Sequence, residues 1–433
     1  MGAGCCMGHG GLGVTSDGSP LSYVLGLVFL ALEVAPASIL ITTLAVALVV
    51  PYLLLVWFTP AQLHISAAER KYVTSADSKP NELPNITDDP SVQLTVVVPA
   101  YNEARRLPGM LDETLAWLEQ QRKEGKPLST SASGPQELTT PLKSYEILVV
   151  DDGSADDTSK VALECAKRHK LAAGAEVRVT SLQRNRGKGA AVRHGVLHSR
   201  GAFILFADAD GATRFSDLRM LANEMARVIT PAGHGVVVGS RAHLVKTDAV
   251  VKRSFLRNLL MRCFHIFLSV LMRPPSIAAL LRRMSEKMPE NINPLHWLVP
   301  HGTRVIRRLP LQPEVKDTQC GFKFFSRNTA RMIFPLAHID RWIFDVELLL
   351  LAEMASRASE RSHVLRQDSD RGQDPLLQLP VPISEVAVNW TEIDGSKISL
   401  ISDSLCMARD LLVIRMNYLL GRWKCPPSVY PDE

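Results

Sequence analysis

Residues 202–212 read AFILFADADGA, a short apolar run that stops at two carboxylates separated by one alanine. Such a run is too short for a helix and too uniformly apolar for a strand with one wet face. It fits a strand covered on both sides. LTVVVP (Leu94–Pro99) and EILVV (Glu146–Val150) have the same form, the first ended by Pro99 and Asn102, the second by Asp151, Asp152 and Gly153. Glu176–Leu182 and Gly235–Gly239 read as further strands. Between them lie helical patterns at Leu107–Gln121, Thr158–His169 (with capping side chains from Ser154 to Asp157) and Gly189–Ser199. Strands alternating with helices predict an open, mixed but mostly parallel α/β sheet. Ligands bind such sheets beyond the carboxyl ends of the strands, so the polar residues that end these strands are the candidate site.

The 433 residues suffice for one large domain or two small ones. A formal charge of +5 is too weak to argue for nucleic acid as a partner. The seven cysteines show no CxxC or Cys/His metal spacing. Neither a disulfide framework nor a structural zinc site is expected, and a reducing compartment suits the catalytic part. Apolar residues concentrate near the N-terminus, where residues 21–58 carry no Lys or Arg and only Glu33 as a charge. At ~1.5 Å per residue, a helix over 37–58 matches a hydrocarbon core of roughly 30 Å, with Tyr52 and Trp57 suited to the interface. A cleaved signal peptide is disfavoured by the length of the run and the lack of a basic n-region. Residues 21–35 read either as a second span or as an interfacial segment. Arg70 and Lys71 follow the anchor and no basic residue precedes it, which puts the remainder in the cytosol by the positive-inside rule. The expected organisation is a flexible tail (1–20), a transmembrane anchor (21–60), a polar linker (61–92) and a catalytic domain (93–425). Pro, Ser and charge clusters mark insertions near 123–143, 273–312 and 356–379.

Three polar groups end successive strands: Tyr101-Asn102-Glu103, Asp151-Asp152-Gly153-Ser154 and Asp208-Ala209-Asp210. Carboxylates gathered at one sheet edge repel unless a cation or hydrogen bonds offset them. In the Asp-x-Asp spacing both side chains can approach one hard cation, so Mg2+ or Mn2+ bridging a substrate's phosphates is the expected cofactor. A lone Asp-x-Asp is more often a solvated turn. Behind a buried strand, and after two other acidic strand ends, it reads as a metal site. Asn185-Arg186-Gly187-Lys188-Gly189 opens a helix, where glycine permits close backbone approach and the helix N-terminus with Lys188 favours phosphate.

VVVPAYNEARRL (96–107), ILVVDDGSADDT (147–158), NRGKGAAVRHG (185–195) and FADADGA (206–212), in this order, resemble the inverting family-2 glycosyltransferases of GT-A fold. The resemblance runs over roughly Leu94 to Trp423, apart from the insertions. It implies that Pro99, Tyr101, Glu103 and Asp151, joined here by Asp152 and Lys188, hold the nucleotide-sugar, and that Asp208 and Asp210 meet diphosphate and metal. VVGSRAH (237–243), VKRSFLRNLL (251–260), VKDTQCGFKFF (315–325), RWIFDVELL (341–349) and VAVNWTEIDGSK (386–397) are similar to the branch that glucosylates dolichyl phosphate. The implied donor is UDP-glucose, the implied acceptor dolichyl phosphate in a lipid bilayer. The implied setting is the endoplasmic reticulum membrane, with the lipid-linked glucose serving protein N-glycosylation. Mannosyl relatives typically carry Asp-Ala-Asp-x-Gln. Position 212 here is Ala, so that metal ligand must come from water or phosphate. GDP-mannose as donor, or a non-catalytic sugar-nucleotide-binding scaffold, are the competing readings.

Arg253 and Arg257 share a face of an amphipathic pattern with a basic edge, suited to a bilayer surface or to packing on the domain. In the functional reading Arg241, Arg253 and Arg257 clamp the lipid phosphate, since guanidinium binds phosphate bidentately. Lys397 joins them in offsetting two anionic substrates. Asp345, a candidate catalytic residue, and Glu347 lie in an apolar helical context, where they either face the site or pair with Arg341 or another base. Residues 398–420 carry Arg409, Asp410 and Arg415, which argues for an interfacial or domain-packing helix over a second span.

Overall fold

The computed structural model describes residues 39, 42–61, 65–77, 79–169, 171–246, 315–363, 381–393 and 399–426. The chain divides into two compact units, Met1–Thr59 and Pro60–Glu433. In the first, residues 42–58 form helix α1. Its apolar side chains are largely exposed, Leu48 at 65% and Trp57 at 83%. Among the described residues no helix is long and apolar enough to cross a membrane. The span read from the sequence extends beyond the described part of α1, since residues 1–38, 40 and 41 lie outside the described residues.

The second unit is built on one mixed sheet. Its elements are β1 (Lys71–Thr74), β2 (Asn81–Glu82), β3 (Val92–Ala100), α2 (Leu107–Lys123), α3 (Gln136–Thr139), β4 (Tyr145–Asp151), α4 (Thr158–His169), β5 (Ala175–Ser181), α5 (Lys188–Leu197), β6 (Gly201–Ala207), α6 (Leu218–Val228), β7 (Val236–Ser240), β8 (Phe322–Ser326), α7 (Arg327–Ile333), α8 (Phe344–His363), β9 (Ile383–Ala387) and α9 (Leu400–Leu419). Strand order is β2-β1-β5-β4-β3-β6-β8-β7-β9. β5, β4, β3 and β6 form the parallel centre expected from the apolar runs. β7 and β9 are also parallel, but β1–β2, β1–β5, β6–β8 and β7–β8 are antiparallel. The sheet is therefore mixed, as expected, with a parallel centre and half of its neighbouring pairs antiparallel. The strands that reverse it are short, partly polar or late in the chain, and none forms a βαβ unit that the alternation could reveal. Residues 61–92, read as linker, contribute β1 and β2 to the sheet edge.

Alternation along β3 divides its side chains between two helical layers. Leu94, Val96 and Val98 join the cluster formed with Leu111 and Leu115 of α2, Ala162 of α4 and Leu221 of α6. Val97 faces the other way, against α5, where a Cβ at Gly195 would lie 2.4 Å from Val97 Cγ1. Phe206 of β6 meets Phe344 of α8, ring centroids 5.7 Å apart. Burying each of the Val, Leu and Phe side chains contributes about 1.5–3 kcal/mol. Pro99, expected to end its strand, stands inside β3 opposite Val150, past the last β3–β6 partners Val97 and Phe206, where a missing N–H is tolerated. The excursion at 123–143 carries α3 and returns Leu128 and Leu138 to the core. α9 is a domain-packing helix on one side, with Leu411 and Ile414 at 0% exposure, while Leu405, Leu412 and Leu419 stay exposed.

Candidate active site

β3, β4 and β6 end at the same edge, Ala100 opposite Asp151 and Val97 opposite Phe206. Asp151 Oδ1 accepts the Ser154 N–H at 2.9 Å, and Oδ2 accepts the Ser159 hydroxyl. Asp152 reaches to the next loop, its two oxygens accepting the N–H groups of Arg186 and Gly187, each at 2.8 Å. Burial pushes the Asp152 carboxyl up to about 6, although those two N–H groups favour its ionised form. Glu103 is forked by Arg106, Nε to Oε2 at 2.7 Å. Asn102 holds a left-handed backbone with φ 50°, its N–H donating to Ser154 Oγ at 2.9 Å and its Oδ1 accepting from Ala155 N–H at 2.8 Å. The residues expected to hold the nucleotide thus fall into two groups. Tyr101 and Pro99 line the β3 end half-buried, and Glu103, Asp151 and Asp152 hydrogen-bond within the strand-tip loops.

Asp208 and Asp210 follow β6. Lys188 Nζ lies 2.6 Å from Asp208 Oδ1. Burial alone would lower the Lys188 pKa, but the Asp208 and Asp345 carboxylates outweigh it and the ammonium is held above its usual range. Asp210 Oδ1 accepts the Ala212 N–H at 3.0 Å. Burial first, then the charge of Asp208, raises the Asp210 pKa. The Asp208 N–H donates to the Gly321 carbonyl at 3.1 Å. A Cβ at position 321 would stand 1.9 Å from Asp208 Oδ2, so only glycine lets this loop lie against the carboxylate.

Asp345 pairs with a base other than Arg341, Lys323. The Lys323 ammonium, with no exposed surface, donates to Asp345 Oδ1 at 2.7 Å and to the Cys320 carbonyl at 2.6 Å. Burial raises the Asp345 pKa, opposed by Lys323 and then Lys188. Glu347 accepts the N–H groups of His338 and Ile339 at 2.9 and 2.8 Å and the Tyr418 hydroxyl at 3.1 Å, tying α8 to α9. Arg241 is gripped by Asp317, Nε to Oδ2 at 2.7 Å and Nη2 to Oδ1 at 2.9 Å, with Trp390 5.6 Å away from its guanidinium carbon. Its Nη1 makes no hydrogen bond among the described residues. Arg253, Arg257 and Lys397 lie outside the described residues.

The glycines of the 185–189 motif serve a purpose the sequence did not suggest. A Cβ at Gly187, where φ is +104°, would lie 2.5 Å from the Asp340 carbonyl, and one at Gly189 would lie 2.6 Å from Phe344 Cβ. The Asp340 carbonyl also accepts the Ala190 N–H at 3.0 Å. The Asp340 carbonyl therefore packs on the start of α5, and the Lys188 side chain carries the motif's positive charge toward Asp208. Lys323, Gly321, Asp317 and Arg106 carry site geometry that sequence reasoning left unassigned. The first three lie in the VKDTQCGFKFF motif that was singled out without roles for them.

Among the described residues no group of three or more His, Cys, Asp or Glu is arranged to hold a metal ion. Asp208 and Asp210 nonetheless fit a hard divalent cation that takes its other ligands from substrate and water. Both are oxygen donors, and their mutual repulsion is what an added cation would relieve. Ala212 offers that centre no side-chain ligand.

A mixed α/β sheet with these carboxylates at its tips defines a GT-A glycosyltransferase, and the Glycosyl transferase family 2 model matches residues 95–333. Dolichyl-phosphate β-glucosyltransferase of Drosophila melanogaster is 40% identical over 89% of this chain and 94% of its own length. Those of Dictyostelium discoideum and Homo sapiens are 38% and 37% identical, each over 82% of this chain and 85% of their own length. The chain belongs to the dolichyl-phosphate β-glucosyltransferase family. Among solved structures, glucosyl-3-phosphoglycerate synthase from Mycobacterium tuberculosis in complex with Mn2+, UDP and glucosyl-3-phosphoglycerate is 16% identical, with a TM-score of 0.38, over 78% of this chain and 82% of that one.

Proposed function

We propose that the chain transfers glucose from UDP-glucose to dolichyl phosphate, giving dolichyl β-D-glucosyl phosphate, at the carboxyl edge of the sheet. The observation that carries the chemistry is the cluster at the β6 tip, Asp208 and Asp210 with Lys188 2.6 Å from Asp208. The choice of sugar and acceptor follows the family. A divalent cation, Mg2+ or Mn2+, held by Asp208 and Asp210 would supply positive charge to the diphosphate of the leaving UDP.

The protein's own groups do the rest. Lys188 offsets the charge of Asp208 and sits where the donor's phosphates approach. The buried Lys323–Asp345 pair fixes the neighbouring loop. Tyr101 and Pro99 line the nucleotide end. A phosphate monoester has its second ionisation near ~6, so the acceptor is largely dianionic at neutral pH and needs no strong general base. The demand is electrostatic: two anionic substrates must meet, and cations must offset their repulsion. Arg241, pre-oriented by Asp317 with Nη1 uncommitted, is the described group suited to the acceptor phosphate, with Arg253, Arg257 and Lys397 as its expected partners. In-line attack on the anomeric carbon converts an α-linked donor to a β product. An anchor over residues 21–60 would hold the domain at the cytosolic face of the endoplasmic reticulum membrane, where the acceptor resides.

The test is turnover by the purified chain offered labelled UDP-glucose or GDP-mannose, with and without dolichyl phosphate and divalent cation. Labelled lipid should appear only with UDP-glucose, dolichyl phosphate and metal together. Incorporation from GDP-mannose alone would overturn the reading.

A further inference from the structure

Glu69 lies in the stretch read from sequence as linker, yet it has no exposed surface. Its Oε2 accepts the Ser66 N–H at 2.8 Å and its Oε1 the Gln183 N–H at 3.0 Å. Arg186 Nη2 reaches both oxygens, at 2.8 and 2.9 Å. A buried carboxylate costs several kcal/mol unless opposite charge and hydrogen bonds offset it. Here they do. Burial alone would raise the Glu69 pKa, but the N–H groups of Gln183 and Ser66 together with Arg186 lower it.

Arg186 is held from the other side as well, its N–H and that of Gly187 donating to the two oxygens of Asp152. Gly153, at φ +69°, lets its own backbone come so close to this loop that a Cβ would lie 2.6 Å from the Arg184 carbonyl carbon. Residues 183–187 are thus clasped between two carboxylates, and the next residue is Lys188, which meets Asp208. Glu69 touches neither Lys188 nor Asp208. It acts on the backbone from which the Lys188 side chain springs.

We propose that Glu69 is a positioning residue of the donor site: through Arg186 it fixes the loop that sets Lys188 against Asp208. The proposal rests on the reading that Lys188 and Asp208 meet the donor's diphosphate. A displacement of about 1 Å in such a group can cost on the order of 100-fold in rate, so a contact well away from the chemistry can matter to it. The sequence hid it because the residue precedes the first strand, in a polar stretch without a motif.

The experiment titrates UDP into the full-length protein with Mn2+ present and follows binding calorimetrically, alongside steady-state kinetics. It compares the unmodified chain with Glu69→Gln, Arg186→Met, the double variant and Lys188→Met. Each of the first two should weaken UDP binding about tenfold and lower kcat, and the double variant should be no weaker than either single, because both act through one contact. If Glu69→Gln binds UDP as tightly as the unmodified chain while its thermal midpoint falls, Glu69 is merely structural and the proposal is overturned. Multiplicative losses in the double variant overturn it too. Should Glu69→Gln not fold, Arg186→Met decides, since it leaves Glu69 its Ser66 and Gln183 partners. Lys188→Met binding UDP like the unmodified chain would instead sink the donor-site reading.

Discussion

Replacing Lys323 by Met should cost this protein more stability than most single changes, and replacing Asp345 by Leu at the same time should restore much of it. Both side chains are buried, at 0% and 3% exposure, and their charged atoms are 2.7 Å apart. Removing one partner strands the other's charge in the interior, at about 3–5 kcal/mol. Replacing both with apolar groups of similar volume is often neutral or stabilising by ~1–4 kcal/mol. At roughly 2 °C per kcal/mol for a large domain, Lys323→Met should lower the thermal midpoint by about 6–10 °C. That loss should grow with pH. In the single variant Asp345 lacks its principal counter-charge, so burial holds its folded pKa further above the unfolded value. Stability is then greatest below the unfolded pKa and falls as pH rises through the folded one. The assay is thermal unfolding of the purified full chain across pH for the two single variants and the double. A midpoint in Lys323→Met within 1–2 °C of the unmodified protein, or a double variant as unstable as the sum of the singles, would refute the reasoning. Turnover in a folded double variant would further separate a structural Asp345 from the catalytic one expected from sequence.

Asp208→Asn and Asp210→Asn should each lower kcat by about 10²–10³ with the thermal midpoint kept, since both act on developing charge and neither anchors the core; full turnover in either would reject the site. Gly321→Ala places a methyl group 1.9 Å from Asp208 Oδ2 and should abolish turnover by displacing that carboxylate, readable as lost Mn2+ affinity. Gly187→Ala combines a φ of +104° with a 2.5 Å approach to the Asp340 carbonyl, and should destabilise by at least ~1–3 kcal/mol in thermal or denaturant unfolding. Asp340 is raised to about 6, chiefly by burial, so the folded state binds its proton more tightly than the unfolded chain does. Its contribution is present below about pH 4 and lost as pH rises to about 6. Asp340→Asn should flatten that part of the stability profile, by at most about 3 kcal/mol.

The central strands were legible because each is a buried, uniformly apolar run closed by polar residues. Their shared edge followed from the alternation with helices. The acidic tips were legible for the same reason, although chemistry alone did not divide them. Asp151 and Asp152 have the same residue type as Asp208 and Asp210, and their hydrogen bonds to Ser154, Arg186 and Gly187 join residues that the motif alone does not pair. β1, β2, β8 and β9 escaped notice because a short edge strand, or one returning after a long excursion, has no local signature of its partner. Lys323 escaped because a buried lysine cannot be told from a surface one without the distant aspartate that justifies it. Arg241 was found as a cation, but its grip by Asp317 joins residues far apart in sequence.

β8 runs antiparallel between β6 and β7, with Phe322 opposite Ala207 and Lys323 opposite Val238. The chain that departs after β7 therefore comes back at the very edge where it left, and the Arg241–Asp317 fork fastens the two sides of that doorway. Residues 247–314, outside the described residues, join the two sides of that doorway. Closure entropy grows only with the logarithm of such a connection's length, by about 0.6 kcal/mol per doubling. A change of length between β7 and β8 is thus cheap in entropy and leaves the register of β6, β8 and β7 as it is.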